Sequence, residues 1–176
     1  MASTLLTAMT FAVPACSKTS AHHSAADSTT QQVAATSSQN PVKLAKTKFA
    51  ANAGLATGAT YQWIYKPFKA GTFTKGTKGR TAAFIKAGLA GTFAYNRLKA
   101  ALADAKGDPL LSKAVAPLTG SVDGLKALAD KIKSGKASDA DFNQFNNVMN
   151  SIKSAGDSQG ATVTDKVPSS SQLGTH

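Results

Sequence analysis

The side chains that most often perform acid–base chemistry are scarce in this chain of 176 residues. All nine acidic residues are aspartates, so the chain lacks glutamate, a common general acid or base. The three histidines, His22, His23 and His176, lie in segments whose composition predicts no packed structure. None of them can be assigned to a pocket, and we therefore expect that the protein is not an enzyme.

Metal and phosphate chemistry is equally poorly supported. The single cysteine, Cys16, excludes an internal disulfide and the cysteine pairs that bind zinc. Gly76 and Gly79 do not form a phosphate-binding loop, because no Lys-Ser or Lys-Thr follows them. We predict no catalytic residue, no metal site and no cofactor.

Cys16 follows a short apolar run, residues 2–15, that is typical of a signal peptide and too short to span a bilayer. The sequence Val13-Pro14-Ala15-Cys16 resembles the lipobox of bacterial lipoproteins, which implies that Cys16 is the lipid attachment site. Pro14, and the absence of Lys or Arg before the run, depart from that pattern. Ordinary signal-peptide cleavage would cut the same bond, and a chance apolar stretch is the third alternative. Either cleavage predicts a protein that is secreted or lipid-anchored at the bacterial cell envelope.

Two polar segments flank the part of the chain that can fold. Residues 16–39 are rich in Ser, Thr, Ala and Gln, which is typical of a flexible tether. Residues 156–176 contain glycines and a serine run and are expected to be a disordered tail. The ordered domain is therefore predicted between residues 40 and 155.

Helix signals recur through this domain. Asn40-Pro41 and Asp108-Pro109 each pair an N-cap residue with proline at the first helical position, and Ser138 can cap a further helix. Pro67 is expected to end the first helix, and Pro117 to break the third. No strand-like alternation competes, so we predict an all-α, small four-helix bundle-like domain. The predicted helices cover about residues 40–65, 80–106, 109–134 and 138–155.

Small residues recur at four-residue spacing on the first two helices. Gly54 and Gly58 lie on one face of the first helix, and Ala87 and Gly91 on one face of the second. This spacing lets two backbones approach closely. We expect Gly54, Gly58 and Gly91 at helix–helix contacts, with Gly54 and Gly91 between the first two helices. A membrane-embedded helical hairpin is an alternative interpretation, although the lysines on both helices oppose it.

The formal net charge of +11 is concentrated in one segment. Residues 41–103 contain eleven cations and no acidic residue, whereas residues 104–176 contain eight of each sign. Such a block attracts anionic polymers or anionic membrane surfaces. A solvated face that only maintains solubility is the other interpretation.

Aromatic and basic residues alternate within this block, between Tyr61 and Arg80. Aromatics beside cations can stack on nucleobases or lie at a membrane interface, or the aromatics can pin the connection onto the core. Eighteen lysines against two arginines predict unspecific anion binding. The candidate anion-binding residues are Lys66, Lys69, Lys75, Lys78 and Arg80.

The run Tyr-Lys-Pro-Phe-Lys-Ala-Gly at residues 65–71 resembles a segment of uncharacterised secreted proteins of actinobacteria. The resemblance covers about residues 48–133; it implies export and attaches no activity. The sequence thus predicts an exported, envelope-tethered helical binding or structural module whose basic half docks on anionic lipid or cell-wall polymer. It indicates no specific protein partner. The alternatives are a membrane-embedded hairpin or, without export, a non-specific nucleic-acid binder.

Overall fold

The computed structural model describes residues 40–174. Within this range the chain forms helices and their connections, with no strand, so the all-α prediction is confirmed. The predicted signal segment, the tether with Cys16, His22 and His23, and His176 lie outside the described residues.

Six α-helices follow one another along the chain. They are α1 (Pro41–Thr60), α2 (Lys66–Lys69), α3 (Arg80–Ala105), α4 (Pro109–Val115), α5 (Thr119–Lys133) and α6 (Asp139–Ser158). A π-helical turn, Tyr61–Tyr65, joins α1 to α2, and a 3₁₀ turn, Ala116–Leu118, joins α4 to α5 at the break expected from Pro117. A last 3₁₀ turn covers Gln172–Gly174.

Side-chain caps fix three of the helix starts, as the sequence predicts. Asn40 accepts a hydrogen bond from the backbone N–H of Val42 at 3.0 Å. Asp108 accepts two backbone N–H bonds at the start of α4, at 2.9 and 3.1 Å. Ser138 and Asp141 form a reciprocal capping box at the start of α6. Each cap satisfies backbone donors that the first turn of a helix leaves free.

The first helical stretch does not end at Pro67, which corrects the sequence expectation. It continues through the π turn and α2 to Lys69, and the N–H of Lys66 donates to the carbonyl of Tyr61, five residues earlier. A proline inside a helix lacks an N–H and crowds the carbonyl four residues before it. The wider π turn directly before Pro67 accommodates that ring, so the chain stays helical.

The core is built around α3, which packs against α1 on one side and α5 on the other. Alanines dominate the buried faces of α1 and α3, and small side chains let the two backbones approach closely. Phe49 and Phe145 supply fully buried bulk. Val42 and Ile85 are 38% and 51% exposed and lie outside this core.

The expected disordered tail is wrong for residues 156–174. Helix α6 runs on to Ser158, and the chain then continues without regular secondary structure to the last 3₁₀ turn, with Ala161, Val163 and Leu173 buried. We call residues 161–168 the strap. The N–H of Lys166 donates to the carbonyl of Gly54 at 2.8 Å, so the strap lies on α1.

The glycine contacts also differ from the sequence expectation. A Cβ on Gly54 would meet the carbonyl oxygen of Thr164, and a Cβ on Gly58 would lie 2.8 Å from the backbone nitrogen of Lys166. Both glycines therefore admit the strap and not a neighbouring helix. A Cβ on Gly91 would lie 2.8 Å from the Cβ of Ala129, so Gly91 brings α3 close to α5 and not to α1.

Across residues 40–174, no helix combines the length and the apolar character needed to cross a bilayer.

Candidate anion-binding site

One end of the bundle is formed by the π turn, α2, the connection 70–79 and the first two turns of α3. We call this region the basic end. It carries six cations within 21 positions of sequence and no acid of its own. They are Lys66, Lys69, Lys75, Lys78, Arg80 and Lys86.

Stacked phenylalanines attach the connection of the basic end to the core. The ring of Phe73 lies 4.9 Å from that of Phe142 on α6 and 4.7 Å from that of Phe84 on α3. Phe68 stacks on Phe142 at 4.7 Å as well. These contacts support the interpretation that aromatic residues pin the connection onto the core. They also hold the backbone that carries the neighbouring lysines against α3 and α6.

Arg80, one of the five candidate anion ligands, is engaged within the protein. Its Nε donates to the carbonyl of Phe73 at 2.7 Å, and its guanidinium lies 4.7 Å from the ring centre of Phe84. These contacts close the connection onto α3. Arg80 therefore has a structural role, and its assignment to anion binding stays a prediction.

Of the other four candidates, two line hollows in the surface and two are exposed on the connection. Lys66 lines one groove, whereas Lys69 lines a second hollow of about 370 Å³ that also contains Asp139. Lys75 and Lys78 are exposed on the connection and form no hydrogen bond or ion pair with the rest of residues 40–174. Lys75 and Lys78 therefore add positive charge to the basic end but line neither hollow.

The first of these hollows is an open groove of about 410 Å³ between the π turn, α2 and the start of α3. We call it the Trp63 groove. Lys66 enters its lining from α2 and Lys86 from α3, with the polar side chains of Gln62 and Thr72 beside them. Within the described part of the chain, no acidic residue lines it.

Trp63 forms the aromatic wall of this groove and is held from two sides. Its indole N–H donates to the carbonyl of Pro168 in the strap at 3.3 Å. The ammonium of Lys86 lies 5.9 Å from the ring centre, within the range of a cation–π contact. The indole is thus oriented before any ligand arrives.

The start of α3 adds to the positive potential at this groove. Gly79 is its N-cap, with φ of +79°, a conformation that favours glycine, and it supplies no side-chain cap. The first turn of α3 contains no acid that would offset the positive end of the helix dipole.

The ion pairs leave the basic end without compensation. Within residues 40–174 they are Lys46–Asp108, Lys99–Asp123, Lys126–Asp130, Lys131–Asp141 and Lys153–Asp165. Of the eleven cations between residues 41 and 103, two, Lys46 and Lys99, are paired, which leaves nine without an ion pair. No cation of the basic end is among those paired.

Two of the carboxylates with a lowered pKa serve as helix caps. The N–H of Leu111, then that of Leu110, and Lys46 hold the pKa of Asp108 below its ordinary value. The N–H and hydroxyl of Ser138, with Lys131, lower the pKa of Asp141 to about 2. Both groups are ionised helix caps at neutral pH. No three His, Cys, Asp or Glu side chains cluster as a metal site in the region the structure describes.

Sequence reasoning did not single out Lys86. The signal was present in its position, because a residue in the second turn of α3 must lie close to the connection that precedes the helix.

Comparisons of the chain with protein-family models, with curated proteins and with solved structures gave no match.

Proposed function

We propose that this protein is an exported helical module that docks on an anionic surface of the bacterial cell envelope, lipid or wall polymer, through its basic end. One observation carries the proposal: none of the ion pairs within residues 40–174 involves a cation of the basic end. Uncompensated like charges repel one another, and an external anionic surface removes that repulsion.

The strength of such docking follows from the number of lysines. Each lysine brought to an anionic membrane contributes about 1 kcal/mol, so the five lysines of the basic end supply about 5 kcal/mol. That corresponds to a dissociation constant of roughly 0.2 mM, which is weak and reversible. Stable attachment therefore needs a second element, and one acyl chain combined with a polybasic patch is sufficient.

Acylation at Cys16 would provide that second element. The apolar run before Cys16 and the resemblance to a lipobox support export and cleavage between Ala15 and Cys16. The intact mass of the protein from its native host tests this part of the proposal. We expect a chain that begins at Cys16 and carries the mass of a lipid. A mass that includes residues 1–15 would place the chain inside the cell, with nucleic acid as the anionic partner.

Docking itself is tested with the full chain carrying Cys16→Ser, so that no acyl chain contributes. Co-sedimentation is measured with phosphatidylglycerol-containing vesicles, with pure phosphatidylcholine vesicles and with insoluble wall polymer. Vesicles of phosphatidylcholine report any binding by the apolar residues 2–15.

We expect binding to the anionic surfaces to fall steeply as the screening length shortens from about 30 Å at 0.01 M salt to about 8 Å at 0.15 M. Equal binding to anionic and neutral vesicles together with no salt-sensitive binding to wall polymer would contradict the proposal. The basic end would then serve only solubility.

A further inference from the structure

We infer that the Trp63 groove is a binding site for a single anionic phospholipid headgroup, with Lys66 and Lys86 holding the phosphate and Trp63 forming the apolar wall. The inference rests on the proposed function and assigns one place on the basic end where a lipid is recognised individually. The remaining lysines of the basic end act only through their charge.

The charge of the groove selects an anion. Lys66 and Lys86 approach it from different helices, both are exposed, and neither forms an ion pair within residues 40–174. Two ammonium groups that line one groove can donate hydrogen bonds to different oxygens of one phosphate. Gln62 and Thr72 add neutral donors to the same lining. The second hollow, lined by Asp139, lacks this uniform sign.

The remaining lining selects the kind of anion. Trp63, Pro67 and Ala83 give the groove an apolar wall that a free phosphate would leave unused. A phospholipid headgroup brings its phosphate together with the glycerol and the first acyl carbons, which can contact that wall. Trp side chains favour this boundary between polar and apolar phases.

Two residues next in sequence to the groove lining are large, apolar and exposed, which fits a membrane surface better than a sugar polymer. Tyr61 and Ile85 are the chain neighbours of Gln62 and Lys86, and they are 53% and 51% exposed. Large apolar side chains gain free energy when they leave water for the interface of a bilayer. A hydrated polymer offers them no such phase.

The strap makes the site rigid. Because the Trp63 indole donates to the carbonyl of Pro168, its ring plane is set before a ligand binds. A wall that is already oriented loses less conformational entropy on binding. The strap is thus a positioning element for the groove.

Trp63 is the single tryptophan of the chain, so its fluorescence reports this groove directly. The experiment titrates the full chain carrying Cys16→Ser with dihexanoyl-phosphatidylglycerol below its micelle concentration. A single dissolved lipid molecule carries one negative charge, so it gains less from the general field of the basic end than a charged membrane surface does. Dihexanoyl-phosphatidylcholine and inorganic phosphate are titrated in parallel.

Two variants with equal loss of charge separate the groove from the field. Lys66→Gln with Lys86→Gln removes two charges inside the groove, and Lys75→Gln with Lys78→Gln removes two from the exposed connection. We expect saturable blue-shifted Trp63 emission with the anionic lipid, at least about tenfold weaker binding for the groove pair, and unchanged binding for the connection pair. Phosphatidylcholine should cause no shift, and inorganic phosphate should bind more weakly than the lipid.

Other results would separate a failure of the headgroup site from a failure of the docking proposal. Equal losses in both pairs would assign binding to the general field, and equal affinity for lipid and inorganic phosphate would show that the apolar wall has no role. If vesicle binding is salt-sensitive while Trp63 emission never changes, the proposed docking stands and the headgroup site is wrong. If the soluble lipid binds as expected but vesicles do not, the docking proposal fails and the site remains.

Discussion

Gly58→Ala puts one methyl group where the strap lies, and its effect on stability has a defined sign. The added Cβ would be 2.8 Å from the backbone nitrogen of Lys166, well inside the 3.4 Å at which ordinary contact begins. The obstacle is backbone, which cannot rotate away as the end of a side chain can. The strap must therefore shift away from α1.

The magnitude follows from three contributions. Overpacking of this kind costs about 1 to 3 kcal/mol. Displacing the strap also weakens the hydrogen bond from Lys166 to Gly54, worth about 1 kcal/mol. Replacing glycine by alanine inside a helix returns about 1 kcal/mol. The net expectation is a loss of about 1 to 3 kcal/mol in the free energy of unfolding.

The free energy of unfolding is measured by urea denaturation, which is monitored by far-UV circular dichroism. Gly124→Ala is the matched control. Gly124 also lies inside a helix, α5, but a Cβ there meets nothing within 4 Å. We expect Gly124→Ala to stabilise the protein by about 1 kcal/mol. In a chain truncated after Gln159 the strap is gone, and Gly58→Ala should stabilise it as Gly124→Ala does. If Gly58→Ala stabilises the full chain, or still destabilises the truncated one, the assigned packing is wrong.

Three further changes test the fold. Gly91→Ala should lower the free energy of unfolding by about 1 to 3 kcal/mol, because the added Cβ is too close to the Cβ of Ala129. Adding Ala129→Gly removes that second methyl group and should recover part of the loss. A double-mutant cycle measures the coupling between the two positions. Asp141→Asn should cost about 1 kcal/mol at neutral pH through the weakened capping box. The folded pKa of Asp141 is lowered, so its contribution is full above the ordinary value of 3.8 and is lost as the pH falls through about 2; stability curves of the two proteins should converge over that interval. Phe73→Ala removes the ring contacts with Phe84 and Phe142 under the connection 70–79, and trypsin should then cleave that connection faster while the rest of the chain resists. Unchanged cleavage would mean that these contacts do not hold the connection.

The elements that sequence predicted correctly are those determined by near neighbours. The caps at Asn40, Asp108 and Ser138 act on N–H groups two or three residues away, so the local sequence contains both partners. The break near Pro117 is likewise a property of one residue and its preceding turn. These signals were sufficient for the all-α class and for most helix bounds.

The strap was missed because its packing leaves no periodic side-chain signal. The strap covers α1 mainly by backbone contact. Its buried residues are Ala161, Val163 and Pro168. The complementary signal was the small-residue face at Gly54 and Gly58. That face predicts a close neighbour without saying which segment it is.

The candidate site was partly predictable. Lys66 was identified from the aromatic and basic run, but its partner Lys86 lies 20 positions later and joins it only through the turn of the connection. The structural role of Arg80 was not predictable, because sequence does not show that its Nε donates to Phe73 or that its guanidinium lies over the ring of Phe84. Charge is visible in a sequence, whereas its availability depends on tertiary contacts.

We expect the strap to be the last of these elements to pack as the chain folds. The hydrogen bond from Trp63 to Pro168 joins residues 105 positions apart, and contacts of such range form after local helix pairing because a long loop must first close. During synthesis, the face of α1 that carries Gly54 and Gly58 therefore stays uncovered until residues 161–168 have been made. A strap from a second copy fits that open face as well as the chain's own, so the interval before closure is when two copies can exchange segments.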